Sequence, residues 1–416
     1  MRKLFYWLFA CCLFVCVGCD NRKGEIVRYS INEPVFMSTA EFRASVKVTN
    51  STSPIEKQGK ICFYEDFLYV SSPGKGIHIV DNRKPASPQI VGFIELPGNG
   101  DLSIQDDKLY ADSYVDLVWF DITDPAKPVF QGRVENAFPE AFPPMENGFG
   151  FDYNLCYSEE GKARGVVVGW TVADREYTIY PSEGDYYADN MVSDSNSGSG
   201  VNGSMSRFSI YDKYLFTIVG VNMNVFELSG DKPTPIKSDI YLGRQAETLF
   251  NYGDKLFMGT ATGMVIFSLE DPTTPRYRSS ISHIFACDPV VVDGDLAYVT
   301  IHSGSTCGQN ANELMVIDVS NVDAPKLLVT YGMKCPKGLG IDRNTLFLCD
   351  EGLKIFNAKD PLTLKANQLV YYAGMDGYDV IPYKNTLMMV ADDGIYQYDY
   401  SNLDAITPLS KLPIGR

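Results

Sequence analysis

The chain has 416 residues, of which 45% are hydrophobic, 12% aromatic and 21% charged. A composition this apolar excludes a disordered chain, and the length allows one large core or two to three ordinary domains. The formal net charge is −16 at pH 7. Because a nucleic-acid binder needs a basic face against phosphate, this balance argues against nucleic acid as a partner.

The first nineteen residues have the features of a signal peptide. Arg2 and Lys3 form a positive segment, and Leu4 to Val17 is an uncharged apolar run. At about 1.5 Å per residue this run would span roughly 21 Å as a helix, which is shorter than the ~30 Å hydrocarbon core of a bilayer. We therefore expect a signal peptide over residues 1–19, with an uncleaved signal anchor as the alternative.

The run ends in Cys16-Val17-Gly18-Cys19, which resembles a bacterial lipobox. The resemblance implies that Cys19 is acylated, for example with palmitate, and becomes the first residue of the mature protein. Cys16 stands where that motif usually has Leu. We expect a lipid-anchored, extracytoplasmic protein of the cell envelope that faces either the periplasm or the cell surface. The choice between inner and outer membrane stays open.

A short apolar motif recurs along the rest of the chain. One copy is Gly76 to Asp81 (GIHIVD), which is followed by Pro85 and Pro88. Six further copies begin at Leu117, Asn224, Gly263, Glu313, Gly352 and Gly394. Most neighbouring copies start about forty residues apart, after two β-rich runs joined by a polar turn and before a proline that ends the strand. Four short antiparallel strands at this spacing are typical of a β-propeller blade.

The number of blades depends on one divergent interval. Seven clear copies occupy about residues 58–136 and 206–416, whereas 137–205 lacks the motif. Within that interval, Gly165 to Tyr180 is rich in β-forming residues and could supply the outer strands of another blade. The sequence predicts an all-β propeller of four-stranded antiparallel blades over residues 58–416, with eight blades favoured and seven as the alternative.

Two segments lie outside the repeats. Residues 20–57 are expected to form a tether and an N-terminal arm, or an added edge strand. Pro181 to Met205 is rich in Ser, Gly, Asn and Asp, which predicts a mobile loop. Its position before Arg207 also suits a lid over the channel mouth.

Two of the repeats resemble a known family. GIHIVD (76–81) and ELMVIDV (313–319) are similar to the LVIVD repeat of secreted bacterial proteins. The arm Glu33 to Val48 is similar to the segment that precedes the propeller in lipoproteins of that family. The resemblance covers about residues 33–416 and implies a propeller lipoprotein, but it brings no established general activity.

The mouth of the central channel is the first candidate site, because propellers tend to bind ligands where their innermost strands begin. Alignment of the blades on their hairpins places seven polar residues there: Lys60, Asp101, Arg207, Glu247, Asp288, Lys337 and Asp379. Such a ring could bind a polar small molecule, a sugar or a peptide end, with Arg207 as a bidentate donor. The alternative is that these side chains pair with one another and fill the channel without a ligand.

Metal binding at this ring is a lesser option. The carboxylates of Asp101, Glu247, Asp288 and Asp379 suit Ca²⁺ or Mg²⁺, but they come from separate blades. The segment Asp194 to Gly198 lacks the Gly and the distal Glu of an EF-type loop. We expect neither a metal nor a cofactor.

Catalysis by histidine has little support in the sequence. His78 lies in a repeat strand, and His283 and His302 could serve as a base only for nearby serines such as Ser303 or Ser305. A GxSxG nucleophile elbow is missing from the sequence. We assign no catalytic residue.

Six cysteines follow Cys19 and none is in a CxxC pair, which argues against a thiolate metal site: Cys62, Cys156, Cys287, Cys307, Cys335 and Cys349. Two pairs flank antiparallel hairpins, so we predict disulfides Cys287–Cys307 and Cys335–Cys349, with swapped pairing as the alternative. Cys62 and Cys156 are expected to be small core residues.

Together these observations predict a membrane-anchored, non-enzymatic module that binds a protein partner or an extracellular polymer such as a glycan. One alternative is a hydrolase or lyase that acts on a sugar or peptide at the channel mouth, and another is a structural envelope component. Two carboxylates about 5–10 Å apart, one with a strongly raised pKa, would favour the enzyme. An exposed aromatic patch on the rim would favour the binding module.

Overall fold

The computed structural model describes residues 25–145, 147–179, 206–260, 263–282, 289–302 and 311–415. In these ranges the chain forms six four-stranded antiparallel sheets, one five-stranded antiparallel sheet and a separate two-stranded ribbon. The first strands of consecutive sheets lie against one another and therefore line the centre of a propeller. None of the described helices is long and apolar enough to cross a membrane.

Each blade consists of four strands that follow one another along the chain. From the innermost to the outermost, they are Ile61–Tyr64, Phe67–Ser72, Gly76–Asp81 and Gln89–Glu95 in blade 1; Leu102–Gln105, Lys108–Ser113, Asp116–Asp121 and Val129–Val134 in blade 2; Phe208–Tyr211, Tyr214–Val219, Asn222–Glu227 and Thr234–Tyr241 in blade 3; Ala246–Tyr252, Lys255–Thr260, Gly263–Ser268 and Arg276–Ser282 in blade 4; Val290–Asp293, Leu296–Ile301, Glu313–Asp318 and Lys326–Gly332 in blade 5; Pro336–Asp342, Thr345–Asp350, Gly352–Asn357 and Gln368–Ala373 in blade 6; and Gly377–Tyr383, Thr386–Ala391, Gly394–Asp399 and Thr407–Pro413 in blade 7. A 3₁₀ helix, Pro361–Asn367, precedes the last strand of blade 6.

Tight turns join the first two strands of each blade. At Asp106-Asp107, Arg343-Asn344 and Lys384-Asn385, both turn residues have positive φ values. Two such residues in succession are typical of the type I′ turn, whose twist matches that of the strands it joins. The polar turns seen in the sequence are therefore the hairpins of the blades.

The glycine that opens the repeat motif has a steric role. Gly352 begins the third strand of blade 6 with a φ of 130°, and a Cβ atom there would lie 2.1 Å from the carbonyl oxygen of Tyr372. Gly76 occupies the same position in blade 1. Only a residue without a side chain lets the third and fourth strands approach this closely.

Apolar clusters between the blades hold the ring together. In the part of the chain that the structure describes, seven clusters each join two consecutive blades, and one of them joins blade 7 to blade 1. That closing cluster contains Ile61, Leu68, Val70, Met388, Val390 and Leu412. Each fully buried side chain of this kind contributes about 1.5–3 kcal/mol.

Polar contacts reinforce the closure. The Gln58 side chain donates to the carbonyl of Ala391 at 2.7 Å. Asn82 and Gln397 exchange two hydrogen bonds of 3.1 and 2.8 Å between blades 1 and 7. Because every described blade has a neighbour on both faces, the ring is complete with seven blades.

The preferred prediction of eight blades is therefore wrong, and the alternative of seven is correct. The described part of the divergent interval contains two short helices, Tyr153–Tyr157 and Glu159–Arg164, and one long strand, Val166–Ile179. This strand pairs antiparallel with Glu25–Met37 of the N-terminal arm to form the ribbon. The sequence predicts β structure for this segment, but the strand with which it pairs lies in the N-terminal arm, more than a hundred residues earlier in the chain.

The rest of the arm is fixed to blades 1 and 2. A short helix, Thr39–Ala44, is followed by Lys47–Thr49, which adds a fifth strand to the outer edge of blade 1. The Asp116 carboxylate, fully buried in blade 2, accepts hydrogen bonds from Arg43 and Arg133, each at 3.0 Å. This ion cluster ties the arm to the propeller.

The structure does not support the predicted disulfide Cys335–Cys349, since both cysteines are free. Cys349 is fully buried in the apolar cluster between blades 6 and 7. The backbone N–H of Cys335 instead donates to the Asp350 carboxylate. The other predicted pair, Cys287–Cys307, lies outside the described residues, as does Cys19. Cys62 and Cys156 are also free, and burial raises the pKa of Cys62 to about 11.

The substitution Gly352→Ala should destabilise the protein by about 1–3 kcal/mol, because its Cβ would force the third and fourth strands of blade 6 apart. Gly332→Ala is the matched control, since a Cβ atom there would meet no atom within 4 Å. Urea unfolding of the purified protein measures both. Equal stability of the two variants would show that the repeat glycine has no steric role.

Candidate functional site

The structure places the predicted mouth residues at the inner strands. Lys60, Asp101 and Arg207 directly precede the first strands of blades 1, 2 and 3. The others that the structure describes lie within the first three residues of the corresponding strands: Glu247, Lys337 and Asp379. Asp288 lies outside the described residues. The role of these residues in ligand binding stays a prediction.

On the blade 2 to blade 3 side, the mouth is an internal hydrogen-bond network. The Asp101 carboxylate, which is 2% exposed, accepts from the backbone N–H groups of Leu102 and Arg207. The Arg207 guanidinium donates to Asp112 at 3.2 Å, and Asp112 also accepts from the backbone N–H of Gly100. Burial raises the pKa of Asp112, while Arg207 and the backbone donors oppose that rise. Arg207, which the sequence predicts as a bidentate hydrogen-bond donor to a ligand, is thus already bonded to a carboxylate of the protein.

On the opposite side, the mouth is also ion-paired. Lys337 forms a salt bridge with Asp376 and places its ammonium 4.5 Å from the centre of the Tyr378 ring. Lys354 pairs with the buried carboxylate of Asp350. In the part of the chain that the structure describes, Arg207, Lys337 and Lys354 therefore each pair with a carboxylate at or beside the mouth.

The two described histidines are poor bases. His78 is buried and its ring centre lies 4.6 Å from that of Phe93. Burial lowers the pKa of His78 to about 4. Burial and the charge of Lys337 lower the pKa of His302. His283, Ser303 and Ser305 lie outside the described residues. Within the described ranges, no group of three or more His, Cys, Asp or Glu side chains could hold a metal ion.

A second candidate site lies on the ribbon. It is a surface cleft of about 640 Å³, lined by Tyr29, Ile31, Phe151, Asp152, Tyr153, Asn154 and Arg175. The ribbon provides one wall, and the segment that leads into the helix Tyr153–Tyr157 provides the other. We call this site the aromatic cleft.

A cluster of rings supports the walls of the aromatic cleft. The Tyr153 ring centre lies 4.4 Å from that of Tyr157, and Phe142 contacts Tyr157 edge-to-face at 5.4 Å. Trp170 of the ribbon lies 5.5 Å from Phe151, and its indole N–H donates to the carbonyl of Pro143 at 2.8 Å. These contacts fix the orientation of the Tyr153 ring and of the aromatic side chains behind it.

The polar groups of the aromatic cleft are also held in place. Arg175 forms a salt bridge with Glu33 and lies 4.0 Å from a carboxylate oxygen of Asp152. The other oxygen of Asp152 accepts from the backbone N–H of Leu155 at 3.0 Å. A guanidinium and a carboxylate therefore face the cleft beside the aromatic rings.

Sequence reasoning missed the aromatic cleft. Its walls come from three separate segments, residues 29–31, 151–154 and 175, and the pairing within the ribbon brings them together. The one signal in the sequence was the density of aromatic residues in the divergent interval: Phe138, Phe142, Phe149, Phe151, Tyr153 and Tyr157.

The family model of the LVIVD repeat matches residues 57–95 and 286–332. The chain carries LVIVD repeats. The two matched ranges contain the GIHIVD and ELMVIDV units. Together with the propeller fold, the match confirms the resemblance of these two units to the LVIVD repeat.

Solved structures share the fold of this chain at low identity. The periplasmic gluconolactonase PpgL of Pseudomonas aeruginosa is 10% identical, with a TM-score of 0.54 over 84% of this chain and 96% of that chain. A putative 6-phosphogluconolactonase from Bacteroides uniformis is 11% identical, with a TM-score of 0.52 over 82% and 94%. The computationally designed Ika8 protein is 9% identical, with a TM-score of 0.50 over 86% and 87%. These similarities concern the fold alone. A comparison with curated protein sequences found no match.

The buried His78 should make stability depend on pH. Its pKa is about 4 in the folded protein against an ordinary value of 6.5, so the unfolded chain binds more protons between these values. The free energy of unfolding should fall as the pH decreases from about 6.5 to about 4, by about 3 kcal/mol. Urea unfolding of His78→Gln across this range should show a weaker dependence than the wild type. Identical pH profiles would contradict the assignment.

Proposed function

We propose that this protein is a lipid-anchored, extracytoplasmic propeller that binds a protein partner or an extracellular polymer without transforming it. The observation that carries the proposal is the aromatic cleft. Tyr153 is 52% exposed and Tyr29 is 42% exposed in a concave site with fixed polar groups. Exposed aromatic rings in such a setting are typical of recognition surfaces.

The channel mouth gives less support to the alternative of a hydrolase or lyase. Its strongest feature is Asp112, whose pKa burial raises, in the same network as Asp101. Both carboxylates already accept backbone N–H groups, and Asp112 also accepts from Arg207. A general acid must be able to approach a substrate, and these contacts occupy the oxygens that would do so.

The proposed anchor would hold the ribbon close to the membrane. Only five residues separate Cys19 from Glu25, where the ribbon begins. A fully extended chain of this length reaches at most about 20 Å. In this proposal the propeller stands near the lipid surface with the aromatic cleft on the connecting ribbon.

Replacement of Cys19 tests the anchor. Cys19→Ala should abolish palmitate labelling and release the protein from the membrane fraction, because the acylated thiol is gone. Cys16→Leu is the matched control and should keep both, since it restores the usual residue of the lipobox. Membrane association of Cys19→Ala equal to that of the wild type would contradict a lipoprotein.

A thermal-shift screen of residues 20–416 tests the binding role. The ligands are glycans, peptides, divalent ions and small acids, and the variants are Tyr153→Ala and Arg207→Ala. We expect a stabilising ligand whose effect is lost in Tyr153→Ala and kept in Arg207→Ala. Loss in Arg207→Ala alone would move the site to the channel mouth. A flat screen with folded protein would contradict small-ligand or polymer binding, and crosslinking in the envelope would then test a protein partner.

A further inference from the structure

We infer that the aromatic cleft binds a neutral polysaccharide, whose sugar rings stack on Tyr153 and Tyr29 and whose hydroxyls bond to Asp152, Asn154 and Arg175. This inference rests on the proposed function and names the ligand class of the same site. Four independent observations support it. They are the exposed tyrosine rings, the mixture of hydrogen-bond donors and acceptors, the excess of negative charge, and the hydrogen bonds that Asn32 already makes at the edge of the ribbon.

Tyr153 presents an exposed aromatic face on which a sugar ring can stack. One face of a pyranose consists mainly of C–H bonds, and their weakly positive hydrogens are attracted to the negative face of an aromatic ring. Tyr153 is 52% exposed although its ring packs against Tyr157 at 4.4 Å. A ring that is fixed on one side and exposed on the other loses little conformational entropy when a sugar stacks on it.

The polar side chains of the aromatic cleft include both hydrogen-bond donors and acceptors. A sugar hydroxyl both donates and accepts, so a sugar site needs groups of both kinds. The Arg175 guanidinium only donates, the Asp152 carboxylate only accepts, and the Asn154 amide does both. All three line the same cleft of about 640 Å³, a volume within the range of about 300–1,000 Å³ typical of small-ligand sites.

The charge at the aromatic cleft is negative. Arg175 is the one cation among the residues that line the cleft, and it is paired with Glu33 and lies 4.0 Å from Asp152. Two carboxylates thus outweigh one guanidinium, and the whole chain has a net charge of −16. An anionic polymer would be repelled here, whereas a neutral glycan would not.

The hydrogen bonds of Asn32 argue against a peptide ligand that adds to the ribbon as an extra strand. At Asn32, the edge of the strand Glu25–Met37 that faces away from Val166–Ile179 is already paired with another segment. The Asn32 N–H donates to the Gly150 carbonyl at 2.8 Å, and the Asn32 carbonyl accepts from the Asp152 N–H at 3.0 Å. Main-chain pairing of an extended peptide needs these groups. The chain's own segment therefore occupies this edge at Asn32, beside the cleft.

Affinity electrophoresis in native gels tests the inference. The gels contain a neutral polysaccharide (β-glucan, galactomannan or xylan) or the anionic polygalacturonate. We expect the full-length mature protein to be retarded by at least one neutral polymer and not by polygalacturonate. Tyr153→Ala should weaken the interaction about tenfold or more, and Tyr153→Phe should retain it, because stacking requires the ring and not the hydroxyl. Tyr241→Ala is the matched control, since Tyr241 is 72% exposed on blade 3.

The outcomes separate this inference from the proposed function. Retardation by polygalacturonate alone, or by a neutral polymer equally in wild type and Tyr153→Ala, would overturn the neutral-glycan cleft but leave a binding module. No retardation by any polymer, with all variants folded by circular dichroism, would overturn the inference, and envelope crosslinking would then decide the proposed function. An equal loss in Tyr241→Ala and Tyr153→Ala would also overturn it, because the effect would not belong to the cleft.

Discussion

Closure of the ring by apolar contact is the constraint on which the rest of this structure depends. Each blade buries side chains on both of its faces, so every blade needs a neighbour on each side. The cluster between blades 7 and 1 provides the last of these contacts. The strand Val166–Ile179 of the divergent interval lies outside this ring and pairs with the N-terminal arm instead. The ribbon and its cleft are thus a consequence of closure with seven blades.

The parts that the sequence predicted well are those set by local geometry. Polar hairpin turns, the glycine at the start of the third strand and the proline after it act within a few residues, and their recurrence identifies the blades. The same periodicity placed Asp101, Arg207 and Lys337 at the starts of the inner strands. The LVIVD match rests on these local units.

The parts that the sequence did not predict depend on pairing between distant segments. The strand Val166–Ile179 has the composition of a blade strand, but composition does not specify its partner. Cys335 and Cys349 were placed near one rim, yet Cys349 is buried among apolar residues and Asp350 holds the backbone of Cys335. The aromatic cleft combines three segments of the chain, so no single motif could reveal it.

The two candidate sites differ in what their side chains already contact. The Arg207 and Lys337 cations of the channel mouth are paired with carboxylates, whereas the Tyr153 and Tyr29 rings of the aromatic cleft stay exposed beside fixed polar groups. The most direct test of the central claim is hydroxyl-radical footprinting of the protein in its native envelope and after purification. We expect that Tyr153 is oxidised less in the envelope than in the purified protein, while Tyr241 is oxidised equally in both. Equal oxidation of Tyr153 in the two states would contradict a cleft that is occupied in its native setting.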